Sequence, residues 1–147
     1  MIIKIVIQRA NSSFFLEEVF MNTDNMNILV FAYLGDTIYE GFVRRKLIED
    51  GIANVNALQK EAVKYVSAKG QAFFLGRLMD SGFFTEEEVS VIKRARNYKV
   101  KSHSKSCDII TYKHATALEA IIGYLELVGN HVRICEIMKH ILEGELC

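Results

Sequence analysis

Proline is absent from all 147 residues. A chain without it has no ring-imposed helix breaks, so its elements must end at glycines and capping side chains. Net charge is absent too. With 18 Lys and Arg against 18 Asp and Glu, nothing global announces a nucleic-acid or membrane partner, and any electrostatic signal must be local. Cysteine is scarce: Cys107, Cys135 and Cys147 are odd in number and fall in no CxxC or Cys/His spacing. They argue against a disulfide framework or a zinc site and read as reduced thiols. No apolar run approaches the ~18 residues that span a bilayer, and the start lacks the three parts of a secretory signal. The sequence therefore reads as a cytoplasmic protein with no membrane partner.

What is present is helical periodicity. Beyond the first twenty or so residues apolar positions recur at three and four rather than at two, which predicts an all-α domain over residues 25–147. Asn25 is placed to cap a first helix ending near Asp50-Gly51. Asn56 with Gln59 opens a second, running to about Lys69-Gly70, and a third follows from Gln71 to Ser81-Gly82. Thr85 with Glu88 forms a capping box, and Glu86 and Glu87 favour the positive helix end, so a fourth helix extends to about Asn97. Residues 98–110 read as a loop, and two further helices span about 111–129 and 130–143. The opening MIIKIVI has strand character with no evident partner strand, and residues 1–24 read as a flexible or loosely docked N-terminal extension, with a role in dimer contacts as the alternative.

The first helix poses a chemical question. Within NILVFAYLGDTIYEGFV (residues 27–43) two carboxylates, Asp36 and Glu40, lie one turn apart among apolar side chains. A buried carboxylate needs a cation. An ordinary ion pair with Arg44, Arg45 or a lysine would supply one; so would a metal ion. A second anomaly has the same form: in HATALEAIIGYLEL (114–127) Glu119 is embedded in Ala117, Leu118, Ala120, Ile121 and Ile122. Alone it is a glutamate at the edge of a core. Together, two buried helices each hiding an acid point to one shared site. Converging carboxylates repel unless a divalent cation lies between them, and hard oxygen donors favour Mg²⁺ or Mn²⁺.

The third feature is KRARNYKVKSHSK, residues 93–105, with six Lys or Arg and no acid. It follows an acidic turn in a chain of zero net charge. Such a run either completes a helix C-terminus or grips phosphates, with Lys93, Arg94, Arg96, Lys99 and Lys101 as the cations and Asn97 and Tyr98 adding polar or stacking contacts. An acid pair and a basic segment together describe a metal-dependent phosphodiesterase.

These residues carry a family resemblance. AYLGDTIYE (32–40) resembles the signature helix of the ribonuclease III endonuclease domain, and TALEAIIGYLEL (116–127) resembles its second metal-binding helix. VSAKGQA (66–72), FFTEEE (83–88) and KRARN (93–97) resemble the short bacterial Mini-III branch. The resemblance covers roughly residues 26–143. It implies an all-helical homodimer that cleaves double-stranded RNA with Mg²⁺, for which Mn²⁺ substitutes, leaving 5′-phosphate and 3′-hydroxyl ends. For the Mini-III branch it implies maturation of the large-subunit (23S) ribosomal RNA precursor, with a large-subunit ribosomal protein as a further partner. By position, Asp36 and Glu119 fall on two acids that hold the catalytic metal, and Glu40 is placed for an outer-sphere contact. Two further acids of full-length ribonuclease III are replaced by Ala32 and Thr116, as expected of Mini-III, which leaves fewer ligands. The appended double-stranded RNA-binding domain of the larger enzymes is not expected, so recognition would fall on the basic segment.

Competing classes are distinguishable. A helical His/Asp phosphohydrolase needs an adjacent His-Asp pair, and His103, His114, His131 and His140 form none. A catalytically inactive RNA-binding or ribosome-associated dimer of the same fold would keep the basic segment and lose the acids, and both acids are present. A purely structural helical dimer would make the basic segment incidental.

Overall fold

The computed structural model of the protein describes residues 2–5, 19–102 and 105–143. Six α-helices occupy the described part beyond residue 27: α1 (Ile28–Glu49), α2 (Val55–Val66), α3 (Ala68–Asp80), α4 (Glu86–Arg96), α5 (Ile109–Leu127) and α6 (His131–Leu142). The all-α class holds. Before them, strand β1 (Ile2–Ile5) pairs antiparallel with β2 (Val19–Asn22). The strand character of MIIKIVI is thus satisfied by VFMN, a four-residue segment too short to stand out from its surroundings. Residue 1 and residues 6–18 of the expected extension lie outside the described residues, as do His103 and Ser104 of the basic segment.

Helix α5 is the hub. Apart from Glu119, every residue from Ala115 to Leu125 is buried, because α1, α3, α4 and α6 all pack on it. Helix α1 buries Ile28, Phe31, Ala32, Gly35, Tyr39, Val43 and Leu47, a stripe at helical spacing. Ile38 and Phe42 pack partly against the same core, while other apolar residues face outward: Tyr33 is 84% exposed and Val30 45%.

The caps refine the expected boundaries. Helix α1 is capped by Asn27 rather than Asn25, with the Asn27 side chain accepting from Leu29 N. Helix α2 starts at Asn54 rather than Asn56. The break between α2 and α3 lies at Ser67, not at Lys69-Gly70. Extended backbone at Ser67 ends α2, and its hydroxyl accepts from Gly70 N at 3.1 Å to begin α3. Gly70 is required for a different reason: a Cβ there would lie 2.2 Å from the Lys64 carbonyl oxygen. Glycine therefore lets the two helices meet in a tight joint instead of terminating one of them.

The capping box forms as expected. Thr85 Oγ1 accepts from Glu88 N at 3.2 Å, and Thr85 N donates to Glu88 Oε2 at 2.9 Å. Glu88 also accepts from Arg133 on α6, at 2.7 Å from Nε, while Arg133 Nη2 donates to the Phe83 carbonyl. One glutamate thus ties the start of α4 to α6, and its carboxyl is held below the ordinary range by the Arg133 and Thr85 contacts in spite of its burial. Thr85→Ala should cost about 1 kcal/mol and lower the melting temperature by roughly 2–4 °C, checked by thermal denaturation.

The cysteines depart from expectation. Cys107 is a free thiol, but Cys135 on α6 is disulfide-bonded. An odd count rules out complete pairing, not a single bridge.

Candidate active site

The site is built on a backbone contact. At the α1–α5 crossing a Cβ on Gly35 would lie 1.7 Å from the Glu119 carbonyl oxygen, and one on Gly123 would lie 1.8 Å from that of Phe31. Two glycines, each facing the other helix, let the helices touch. Asp36 follows one contact point and Glu119 is the other, so the crossing fixes both acids relative to each other.

The two acids differ in environment. Asp36 is exposed at the edge of the buried α1 stripe, which corrects the expectation of a buried aspartate; the half-buried acid is Glu119. Burial first, then the Asp36 charge, pushes the Glu119 carboxyl from its ordinary 4.5 up to about 8, against an opposing pull from the Gln71 amide. Among the described residues no Lys, Arg or His forms an ion pair with either acid. The ion-pair arrangement holds instead for Glu40, which accepts from Arg44 Nε at 3.0 Å.

Two polar side chains that the sequence did not single out stand beside Glu119. Tyr39 is completely buried and donates its hydroxyl to the Tyr65 carbonyl at 2.9 Å. Burial, Tyr65 and the Glu119 charge hold its phenol far above the ordinary range, and therefore neutral. Gln71, on α3, is only 2% exposed, and its Nε2 has no hydrogen-bond partner. Its signal was a polar residue sharing a helix face with Leu75 and Leu78, both buried. Ala32 and Thr116, which the sequence resemblance sets where the longer family members would have acids, are both buried, and the Thr116 hydroxyl donates to the Tyr112 carbonyl at 3.0 Å.

No three His, Cys, Asp or Glu side chains converge as a metal cluster among the described residues. The site offers two oxygen-donor carboxylates that repel each other and lack a protein cation. That donor set suits a hard divalent ion completing its shell with water and substrate oxygens.

The basic residues divide into two groups. Lys93, Arg94 and Arg96 form the last turn of α4 and Asn97 is its C-cap, while Lys99 and Lys101 lie in the loop beyond. Arg94 is exposed but tied back onto the chain: its Nη2 donates to the Met26 carbonyl at 3.3 Å and its guanidinium lies 5.5 Å from the centre of the Phe31 ring. It fastens α4 to the start of α1. Lys99 and Lys101 instead line a cleft of about 330 Å³ together with Tyr98, Tyr112, Lys113 and Thr116. Lys113 lies outside the basic run but adds to the same positive surface, and Thr116 stands one turn before Glu119 on α5. The cleft thus shares helix α5 with Glu119, although neither acid lines it.

Two acids on crossing helices, on a chain that also carries a lysine-lined cleft, form the candidate centre. The ribonuclease III domain pattern matches residues 29–130, and the chain belongs to the ribonuclease III family. Within it the chain groups with the proteins named Mini-ribonuclease 3. It is 48% identical to that of Brevibacillus brevis over 132 residues, which covers 88% of this chain and 97% of the relative. It is 43% identical to that of Symbiobacterium thermophilum over 111 residues, 76% of this chain and 84% of the relative. An X-ray crystal structure of a Fusobacterium nucleatum protein superposes with a TM-score of 0.71 at 34% identity, covering 84% of this chain and 97% of that one. No helix among the described residues is long and apolar enough to cross a membrane.

Proposed function

We propose that the protein is an endoribonuclease that cleaves double-stranded RNA, with Asp36 and Glu119 as the residues that hold a catalytic Mg²⁺, for which Mn²⁺ substitutes. The observation that carries this reading is the meeting of the two carboxylates at the Gly35–Gly123 crossing in a ribonuclease III chain. A divalent ion bound there supplies positive charge against the charge that develops on the phosphoryl group, and activates water. The chain's own residues do the rest. Asp36 presents its carboxylate from the exposed edge of α1, Glu119 from the half-buried face of α5. Neutral Tyr39 closes the interior side, and Lys99, Lys101 and Lys113 hold the phosphate backbone beside the acids. Lys93, Arg96 and Asn97 extend that grip, whereas Glu40, engaged by Arg44, is a candidate only for an outer-sphere contact.

The natural substrate is the precursor of the large-subunit (23S) ribosomal RNA, cut to 5′-phosphate and 3′-hydroxyl ends in the cytoplasm, where a large-subunit ribosomal protein shapes the duplex. Double-stranded RNA offers a shallow minor groove and two phosphate ridges, a target read by shape. A two-fold homodimer suits it, because two related centres can each cut one strand. Exposed apolar side chains support that assembly: Tyr33 at 84% and Val30 at 45% on α1, Phe73 at 59% on α3 and Ile110 at 64% on α5.

Incubating the protein with ribosomal precursor RNA, with and without Mg²⁺, and mapping the new ends tests the reading. Paired staggered cuts that require the metal are expected, and intact duplex at every metal concentration would refute it. Light scattering at micromolar protein should give twice the chain mass, and a monomeric mass with full activity would remove the dimer.

A further inference from the structure

Gln71 Nε2 is the one buried side-chain nitrogen or oxygen without a hydrogen-bond partner among the described residues. Leaving an amide donor unpaired in the interior costs about 1–3 kcal/mol, and a methionine or leucine of similar volume would avoid that cost. The position is also over-determined. Gln71 stands in the first turn of α3, its N–H donating to the Ser67 carbonyl at 2.9 Å, directly after Gly70, whose close approach to the Lys64 carbonyl locks the α2–α3 joint. Helix α3 packs on α5, the helix that carries Glu119, so the buried amide lies within reach of that carboxylate's influence. It favours the ionised form of that carboxylate without making a hydrogen bond of ordinary length and angle.

We infer that Gln71 is a positioning residue: its buried side-chain amide donates to the inner oxygen of Glu119 when that carboxylate is engaged, and so aims the outer oxygen at the ion. The inference rests on the proposed role of Glu119. The donor is held in place while the hydrogen bond is unmade, as expected of a contact that tightens only in the loaded site. Asp36 on one side and the Gln71 amide on the other would then define the Glu119 rotamer, as partners behind metal ligands do elsewhere.

The test uses Gln71→Met, which keeps length and volume and removes the donor, and Gln71→Glu, which at neutral pH replaces the donor with a further acceptor. Three quantities are read on the full chain: melting temperature without metal, Mn²⁺ affinity of the RNA-free protein by electron paramagnetic resonance, and single-turnover cleavage of a duplex RNA with its KM. Gln71→Met is expected to melt at or above the wild-type temperature, to bind Mn²⁺ about 10-fold more weakly, and to cleave about 10–100-fold more slowly at saturating RNA with KM unchanged. Gln71→Glu should be slower still, because its charge turns Glu119 away. A Gln71→Met protein that binds Mn²⁺ and cleaves like wild type overturns the inference, as does a loss of activity matched by an equal loss of folded protein in both variants. Those outcomes leave the role of Glu119 standing. Wild-type protein that neither binds Mn²⁺ nor cuts duplex RNA removes both.

Discussion

Asp36→Asn and Glu119→Gln are each expected to slow duplex cleavage on the order of 10³-fold or more at saturating RNA, while leaving a folded protein. The same substitutions should stabilise the metal-free chain, which a merely structural acid would not do. The unfolded chain releases the Glu119 proton near 4.5, and the folded one holds it to about 8. Between those values the folded state binds the extra proton, so stability falls as pH rises through the window and the loss is complete above about 8. Glutamine carries no such charge. The advantage of Glu119→Gln over wild type should therefore grow from pH 4.5 to 8 and then level off. Discounted for partial exposure and relaxation, that advantage is roughly 2 kcal/mol at pH 8.5, or about 5 °C in melting temperature. Added Mg²⁺ should reverse the order, stabilising wild type and not the variants. Thermal melts in chelator and in Mg²⁺ check it: a Glu119→Gln protein less stable than wild type in chelator would make Glu119 a structural acid.

The reason these two acids draw attention in the sequence is energetic. A carboxylate among Ala117, Leu118, Ala120 and Ile121 contradicts the solvation of charge strongly enough to show without coordinates, whereas Asp36 was flagged by apolar neighbours in sequence although it stands exposed at the edge of its helix. The glycines that join them were less legible. Gly35 and Gly123 carry no signal of their own in the sequence, which does not show which backbone approaches which. The same blindness misplaced the α2–α3 boundary, where Gly70 suggested a helix end although its role is close approach to Lys64. Gln71 escaped because a single glutamine is unremarkable until its burial is known. Arg94 was grouped with the phosphate-binding cations because spacing along a helix cannot tell a side chain turned onto Phe31 from one turned to solvent.

That division of the basic segment governs the second large effect. Replacing Lys93, Arg96, Lys99 and Lys101 together by glutamine should weaken duplex RNA binding on the order of 10²-fold near ~0.1 M salt and flatten its salt dependence, with chemistry at saturating RNA changing far less. Each lost phosphate contact removes about 0.9 from the log-log slope on the B-DNA scale, so a loss of about three is expected where most of the four engage the backbone. Arg94→Gln provides the contrast. Its guanidinium holds the Met26 carbonyl and lies over Phe31, so its loss should cost about 1 kcal/mol of stability and leave the slope nearly untouched. Lys113→Gln, in the same cleft as Lys99 and Lys101, should add to the quadruple variant. An unchanged slope in the quadruple variant, with a lowered melting temperature, would make the segment a helix cap and move the RNA surface elsewhere. The remaining cations are not equivalent candidates. Arg44, Arg45 and Lys46 are each held by an acid four residues away along α1: Glu40, Glu49 and Asp50. Lys69 is exposed at the start of α3, two residues before Gln71, and no ion pair with an acid is seen for it among the described residues. It would be the next residue to neutralise, because a cation there lies on the same helix turn that faces Glu119 and could hold the strand being cut.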